Sequence, residues 1–228
     1  MHETLDRFMR TFEEMELQKY GRILSKEERD KISEAQEEEE RQRKRQNSID
    51  IKMMDFRDKV PPRFKLASFD NYECSNDKQR AVVEYLKQGR SAVIYGSNGT
   101  GKTHLAFASC RHQIHNDKSA MYALAFDFFN EIKRSFNDNS TETVVGRYSA
   151  YDYLVIDEID KTIGTPTEFT YLYSLINKRY NYMRSTVLIT NATPSEFVTI
   201  IGQSALDRVA SEGKVIELNG DNYRNKRA

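Results

Sequence analysis

Two cysteines in 228 residues, Cys74 and Cys110, are too few for a disulfide framework or a cysteine-rich zinc module, and a reducing compartment suits them. No apolar run is longer than a short strand, which leaves no candidate for a membrane-spanning helix. The first residues, MHETLDRFMR, lack the basic start and apolar stretch of a secretory leader, so the expected setting is the cytoplasm. Net charge is missing as well. The 35 basic and 35 acidic side chains cancel, so no global field draws the chain to nucleic acid or to an anionic membrane, and any such contact has to be local.

What is present is unevenly spread. Of the first 58 residues 29 are Asp, Glu, Lys or Arg, while the strand-like apolar runs all lie beyond Pro61 and Pro62. Composition therefore divides the chain into residues 1–58, a helical region unable to build a core alone, and residues 59–228, a globular domain. Leu5, Phe8, Met9, Phe12 and Met15 fall on one side of an amphipathic helix, and Ile23 and Leu24 extend the stripe past Gly21. Two readings of the stripe stand: packing against the chain's own helices or domain, or docking into a groove on another protein. Ser25 followed by Glu28 reads as a capping box opening a second, solvated helix that ends before Pro61. Its exposed stretch carries Glu37–Arg41, Glu39–Arg43 and Glu40–Lys44 at a spacing that favours ion pairs.

From Val60 onward short apolar runs alternate with amphipathic segments. Ala92–Tyr95, Ala120–Phe126, Tyr153–Ile156, Thr186–Thr190 and Val215–Leu218 read as strands with helices between, the pattern of a doubly wound α/β sheet. Directly after the first run, Gly96, Ser97, Asn98, Gly99, Thr100, Gly101, Lys102, Thr103 and His104 fit the P-loop pattern G-x-x-x-x-G-K-[ST] and lead into helix-forming residues. Glycines let successive N–H groups converge on phosphate oxygens at the positive end of the following helix. Lys102 would reach the β- and γ-phosphates, and the Thr103 hydroxyl would hold Mg²⁺.

The run YLVIDEID ends in acids where a parallel sheet presents its C-terminal edge to a ligand. Asp157 suits the Mg²⁺ shell beside Thr103, and Glu158 suits orienting or deprotonating a water beyond the γ-phosphate. TVLITN ends in Asn191, an amide placed for the γ-phosphate or the lytic water. These features point to a water-activating NTPase, rather than a small-molecule kinase, that takes a nucleoside triphosphate with Mg²⁺. Cys110, His112 and His115 spell C-x-H-x-x-H on the helix after the loop, with no fourth ligand nearby, and read as helix polarity.

GSNGTGKTHLA, VIDEID, the INKRY run (Ile176–Tyr180), LITN and the ending ALDRVASEGKVIELNGDNYRNKR together resemble the DnaC/IstB-type AAA+ ATPases, among them the bacterial and phage helicase loaders. The similarity covers about Val60 to Arg227, and VPPRFKLASFDNY resembles the lead-in of loaders. It implies a three-layer fold with a five-stranded parallel sheet and a shortened lid, since fewer than forty residues follow Asn191. It also implies that the nucleotide is ATP, that Arg208 is an arginine finger reaching a neighbour's ATP, that Arg224 senses the chain's own nucleotide, and that the subunits self-associate. Lys133 and Phe136 lie where loaders contact single-stranded DNA. The implied task is ATP-dependent loading of a replicative hexameric helicase, gripped by the N-terminal helices. An IstB-like transposition helper and an ATP-binding adaptor with little turnover are the other readings.

Overall fold

The computed structural model describes residues 14–220, 222 and 223. The five apolar runs become parallel strands of one sheet: β1 (Ser91–Tyr95), β2 (Ala120–Leu124), β3 (Tyr153–Asp157), β4 (Ser185–Thr190) and β5 (Gly213–Glu217), in the order β2-β3-β4-β1-β5. Ala92 lies opposite Val187, Ser91 opposite Gly213, and Tyr153 opposite both Ala120 and Ser185. Strands buried on both faces need apolar residues at every position. Here Ala92, Ile94, Val155 and Ile189 enter one core, and Val93, Leu154, Ile156 and Leu188 enter another.

Helices cover both faces. They are α1 (Lys26–Lys59), α2 (Asp77–Lys87), α3 (Lys102–His115), α4 (Ala125–Ser135), α5 (Thr141–Ala150), α6 (Pro166–Asn181), α7 (Pro194–Ile201) and α8 (Gln203–Ser211). Residues of α2 and α3 fill the first core, and residues of α4 to α8 fill the second. The result is the expected three-layer α/β architecture. Both α6 and α7 begin with a capping box and a proline, Thr165–Pro166–Glu168 and Thr193–Pro194–Glu196.

Three expectations change. The second strand stops at Leu124, because Ala125, Phe128, Phe129 and Ile132 recur at helical spacing and are buried together, which draws Ala125 and Phe126 into α4. The amphipathic stripe does not run past Gly21. Residues 14–20 are helical, Gly21 turns at φ +71 with its N–H on the Leu17 carbonyl, and Leu24 is buried in the following connection, where its N–H donates to the buried Glu16 carboxylate at 3.0 Å. Arg29 closes the same carboxylate at 2.5 Å.

The third change concerns α1. Its capping box forms between Ser25 and Glu28, and Glu37–Arg41 and Glu40–Lys44 pair at 3.4 and 2.7 Å along its exposed stretch. Its last turns are not solvated. Ile49, Met53, Phe56 and Val60 are buried, and the last three join the core that also holds Phe107. Contacts accordingly divide the chain into compact units at Ser48 and Ile49, ahead of the 58/59 boundary that composition suggests. Of the stripe, Leu5, Phe8, Met9 and Phe12 lie outside the described residues, and Met15 is exposed. Among the described residues no helix is long and apolar enough to cross a membrane.

Candidate functional site

Because β1 lies beside β4 rather than β2, the chain leaving β1 must cross the sheet, and the C-terminal ends of β1, β4 and β3 stand side by side. A switch of this kind opens a crevice at the strand ends. The loop after β1, the acids after β3 and Asn191 after β4 all meet there.

The loop is built around glycines. Gly101 caps α3 at φ +92 without any side-chain hydrogen bond, so no side chain of its own caps the N–H groups of the first turn. A Cβ at Gly101 would stand 2.5 Å from the Tyr72 ring, and one at Gly96 would run into the Leu218 carbonyl. The Lys102 ammonium bridges the Gly96 and Ser97 carbonyls at 2.7 and 2.8 Å, and the Thr100 hydroxyl donates to the Ser97 carbonyl at 3.0 Å. Asn98 is exposed at the tip. His104 places Nε2 3.0 Å from the Ser68 carbonyl, which ties α3 to the lead-in.

Two further anchors were not visible as site residues in the sequence. The Tyr72 hydroxyl donates to the Thr100 carbonyl at 2.9 Å, and the Tyr223 N–H donates to the Gly99 carbonyl at 3.0 Å. Segments far apart in the chain thus hold the loop from outside.

Across the crevice the Thr103 hydroxyl donates to Asp157 Oδ2 at 2.8 Å. The same oxygen accepts from the Tyr122 hydroxyl at 3.1 Å, and Oδ1 accepts from the Glu158 N–H at 2.7 Å. Burial pushes the Asp157 carboxyl above its usual range, and the three donors only partly offset this. Burial raises the Tyr122 phenol still more, so it stays a donor. A hydroxyl and a carboxylate oxygen brought together form a hard-oxygen donor set that fits Mg²⁺.

Glu158 is the first residue past the strand and adopts φ +59, a conformation rare outside glycine, asparagine and aspartate. Its half-exposed carboxylate pairs with Lys161 Nζ at 2.5 Å. Asn191 is bracketed by Asp160, which accepts from its N–H at 3.0 Å, from its Nδ2 at 3.3 Å and from the Thr190 hydroxyl at 2.9 Å. Burial pushes the Asp160 carboxyl up, but these hydrogen bonds outweigh it and leave it below the usual range.

The other expected residues lie apart from this crevice or outside the described chain. Arg208 sits half-buried on α8, with its Nε on the Asn177 amide oxygen at 2.9 Å and its guanidinium 5.0 Å from the centre of the Tyr173 ring. Lys133 pairs with the buried Glu168 at 2.8 Å, while Phe136 is 45% exposed beside Tyr171. Arg224 lies outside the described residues.

With this geometry in place, comparison with known proteins decides the family. Residues 2–228 match the family described as IstB-like ATP binding protein. The chain belongs to that family. It is 30% identical over 171 residues to the replicative helicase loader DnaC of Buchnera aphidicola subsp. Baizongia pistaciae, covering 70% of each chain. It is 29% identical over 176 residues to the insertion sequence IS232 putative ATP-binding protein of Bacillus thuringiensis subsp. berliner, covering 73% of this chain and 70% of the relative. The solved structure of a DnaC helicase loader superposes with a TM-score of 0.61 at 19% identity, over 70% of this chain and all of that one. The fold is that of the AAA+ P-loop ATPases.

Proposed function

We propose that this protein binds ATP and Mg²⁺ at the Gly96–Thr103 loop, hydrolyses the ATP, and uses that cycle to load a replicative hexameric helicase onto single-stranded DNA. The observation that carries the ATPase reading is the bond between Thr103 and Asp157 across the crevice, with Glu158 one residue beyond. Thr103 and Asp157 would hold Mg²⁺, which when bound offsets charge on the phosphates. Lys102 would exchange two loop carbonyls for phosphate oxygens. Glu158 would release Lys161 and take the proton of the attacking water, and Asn191 would turn its amide from Asp160 toward the γ-phosphate. Arg208, offered to a neighbouring copy's ATP, supplies the finger, an effect of about 10³–10⁵ in rate. Arg224 acts as the sensor on the chain's own nucleotide.

The loading task is supported by the similarity to the Buchnera loader. The stripe Leu5, Phe8, Met9, Phe12 and Met15 would be the grip on the helicase. Phe136 beside Tyr171 would stack on bases, with Lys133 leaving Glu168 for phosphate. The transposition reading has one observation in its favour, the IS232 relative at nearly the same identity.

Lys102→Ala should abolish ATP binding, read by titration with a fluorescent analogue; unchanged affinity would remove the cradle assignment. The task is tested by capture from host lysate with the full chain and with a chain lacking residues 1–48, followed by mass spectrometry. The replicative helicase on the full chain alone supports loading through the N-terminal region. A transposase in its place moves the assignment to the second reading.

A further inference from the structure

The sheet edge opposite the phosphate loop gathers four arginines: Arg90 just before β1, Arg179 near the end of α6, Arg184 just before β4 and Arg208 on α8. Arg179 is fully buried and fully engaged. It donates to the carbonyls of Tyr148, Ser149, Tyr151 and Ser185 and to the Thr186 hydroxyl, with no acid in the set. The other three line one cleft of about 140 Å³. Their own bonds are to neutral groups: Arg184 donates to the Ser149 carbonyl, Arg208 to Asn177 and to the Ser204 carbonyl, and Arg90 lies against the Tyr85 ring, which also carries Lys214. Every ion pair among the described residues is made elsewhere, and Glu212 is the single carboxylate in the cleft wall.

In a chain whose charges cancel overall, this is a local excess of positive charge, offset in part by Glu212 in the wall and by Asp152 close to Arg184 and Arg179. Guanidinia held together repel one another; burial and the nearby Arg184 charge hold Arg179 down to about 9, against the opposing pull of Asp152. Such an arrangement favours a compact, multiply charged oxyanion, which planar guanidinium forks bind in pairs of hydrogen bonds.

We infer that this cleft receives the polyphosphate of a nucleotide held by a second copy of the chain, with Arg90 and Arg184 binding it beside Arg208. The inference rests on the reading of Arg208 as a finger acting in trans, and it adds two residues and a walled cleft to that finger. Asn177 and the Tyr173 ring hold Arg208 at the rim, and the Ser149 carbonyl holds Arg184.

The test uses the full chain carrying Arg90→Gln and Arg184→Gln together, with Arg90→Lys and Arg184→Lys as the charge-keeping control for folding. The Gln pair should leave ATP affinity unchanged and lower turnover about tenfold to a hundredfold. Adding Glu158→Gln chains, whose own site is dead but whose arginines are intact, should restore part of the turnover. The Lys pair should keep most of it. If Arg208→Ala stops turnover while the Gln pair does not change it, this inference fails and the finger stands. If Arg208→Ala leaves turnover unaltered, the finger reading fails first. If the Gln pair loses single-strand affinity at unchanged turnover, the cleft takes the phosphates of DNA and the inference is overturned.

Discussion

Asp157 is the residue whose burial has a price in stability. Its carboxyl titrates above the ordinary range in the fold because burial disfavours the charge. A folded-state value above the unfolded one means that the fold binds more protons, so stability falls as pH rises from near 3.8, the ordinary Asp value, toward the raised folded one. Asp157→Asn should therefore melt higher than the parent at pH 7, with the gap closing as the pH falls through the raised folded value toward 3.8, while ATP turnover collapses. Melting curves across that range decide it, and a variant that melts lower at pH 7 contradicts the burial argument. At this scale the sequence was most legible where chemistry has a fixed spelling: Gly96, Lys102, Thr103, Asp157 and Glu158 were all placed by pattern, and the structure brings them to one crevice. Tyr122 and Asp160 were missed as partners of Asp157 and Asn191. A tyrosine inside a strand looks like core, and only strand order reveals which carboxylate it faces.

Among the elements, α6 holds the most together. It opens with the Thr165–Glu168 capping box, and Glu168 also closes on Lys133 of α4. It ends near Arg179, whose guanidinium ties the end of α5 to the start of β4. Arg179→Leu removes the donors for four carbonyls and a hydroxyl that stay buried, and should lower stability by about 3 kcal/mol or more. Urea unfolding measures this, and a loss under 1 kcal/mol would show that water replaces the guanidinium. INKRY drew attention through resemblance alone, for nothing in the spacing of an arginine on an amphipathic helix announces complete burial. The same limit misplaced the end of β2, where period-two and helical patterns overlap on the same apolar residues and the helix wins by burying four of them.

For the whole molecule, the decisive feature is that α1 belongs to both units. Half of it is charged surface, and its final turns, through Met53 and Phe56, are part of the core beneath the sheet. A chain starting at residue 49 should fold with near-parental stability, whereas one starting at residue 59 loses both side chains and should lose roughly 3–5 kcal/mol for the phenylalanine alone. Calorimetry of the two truncations checks this, and equal melting temperatures would return the boundary to where composition put it. The charge count that located the division could not see it, because apolar residues spaced by turns of helix are diluted by the charges between them. The route from α1 onward has a mechanical meaning. The chain leaves the helix at Val60, turns through Pro62–Phe64, and reaches Tyr72, whose hydroxyl is fastened to the phosphate loop at Thr100, while Tyr223 fastens the same loop at Gly99. The last turns of α1 and the phosphate loop are thus joined by a short stretch of chain, so a shift of those turns would reach the cradle through Tyr72 as well as through the core they share with the sheet.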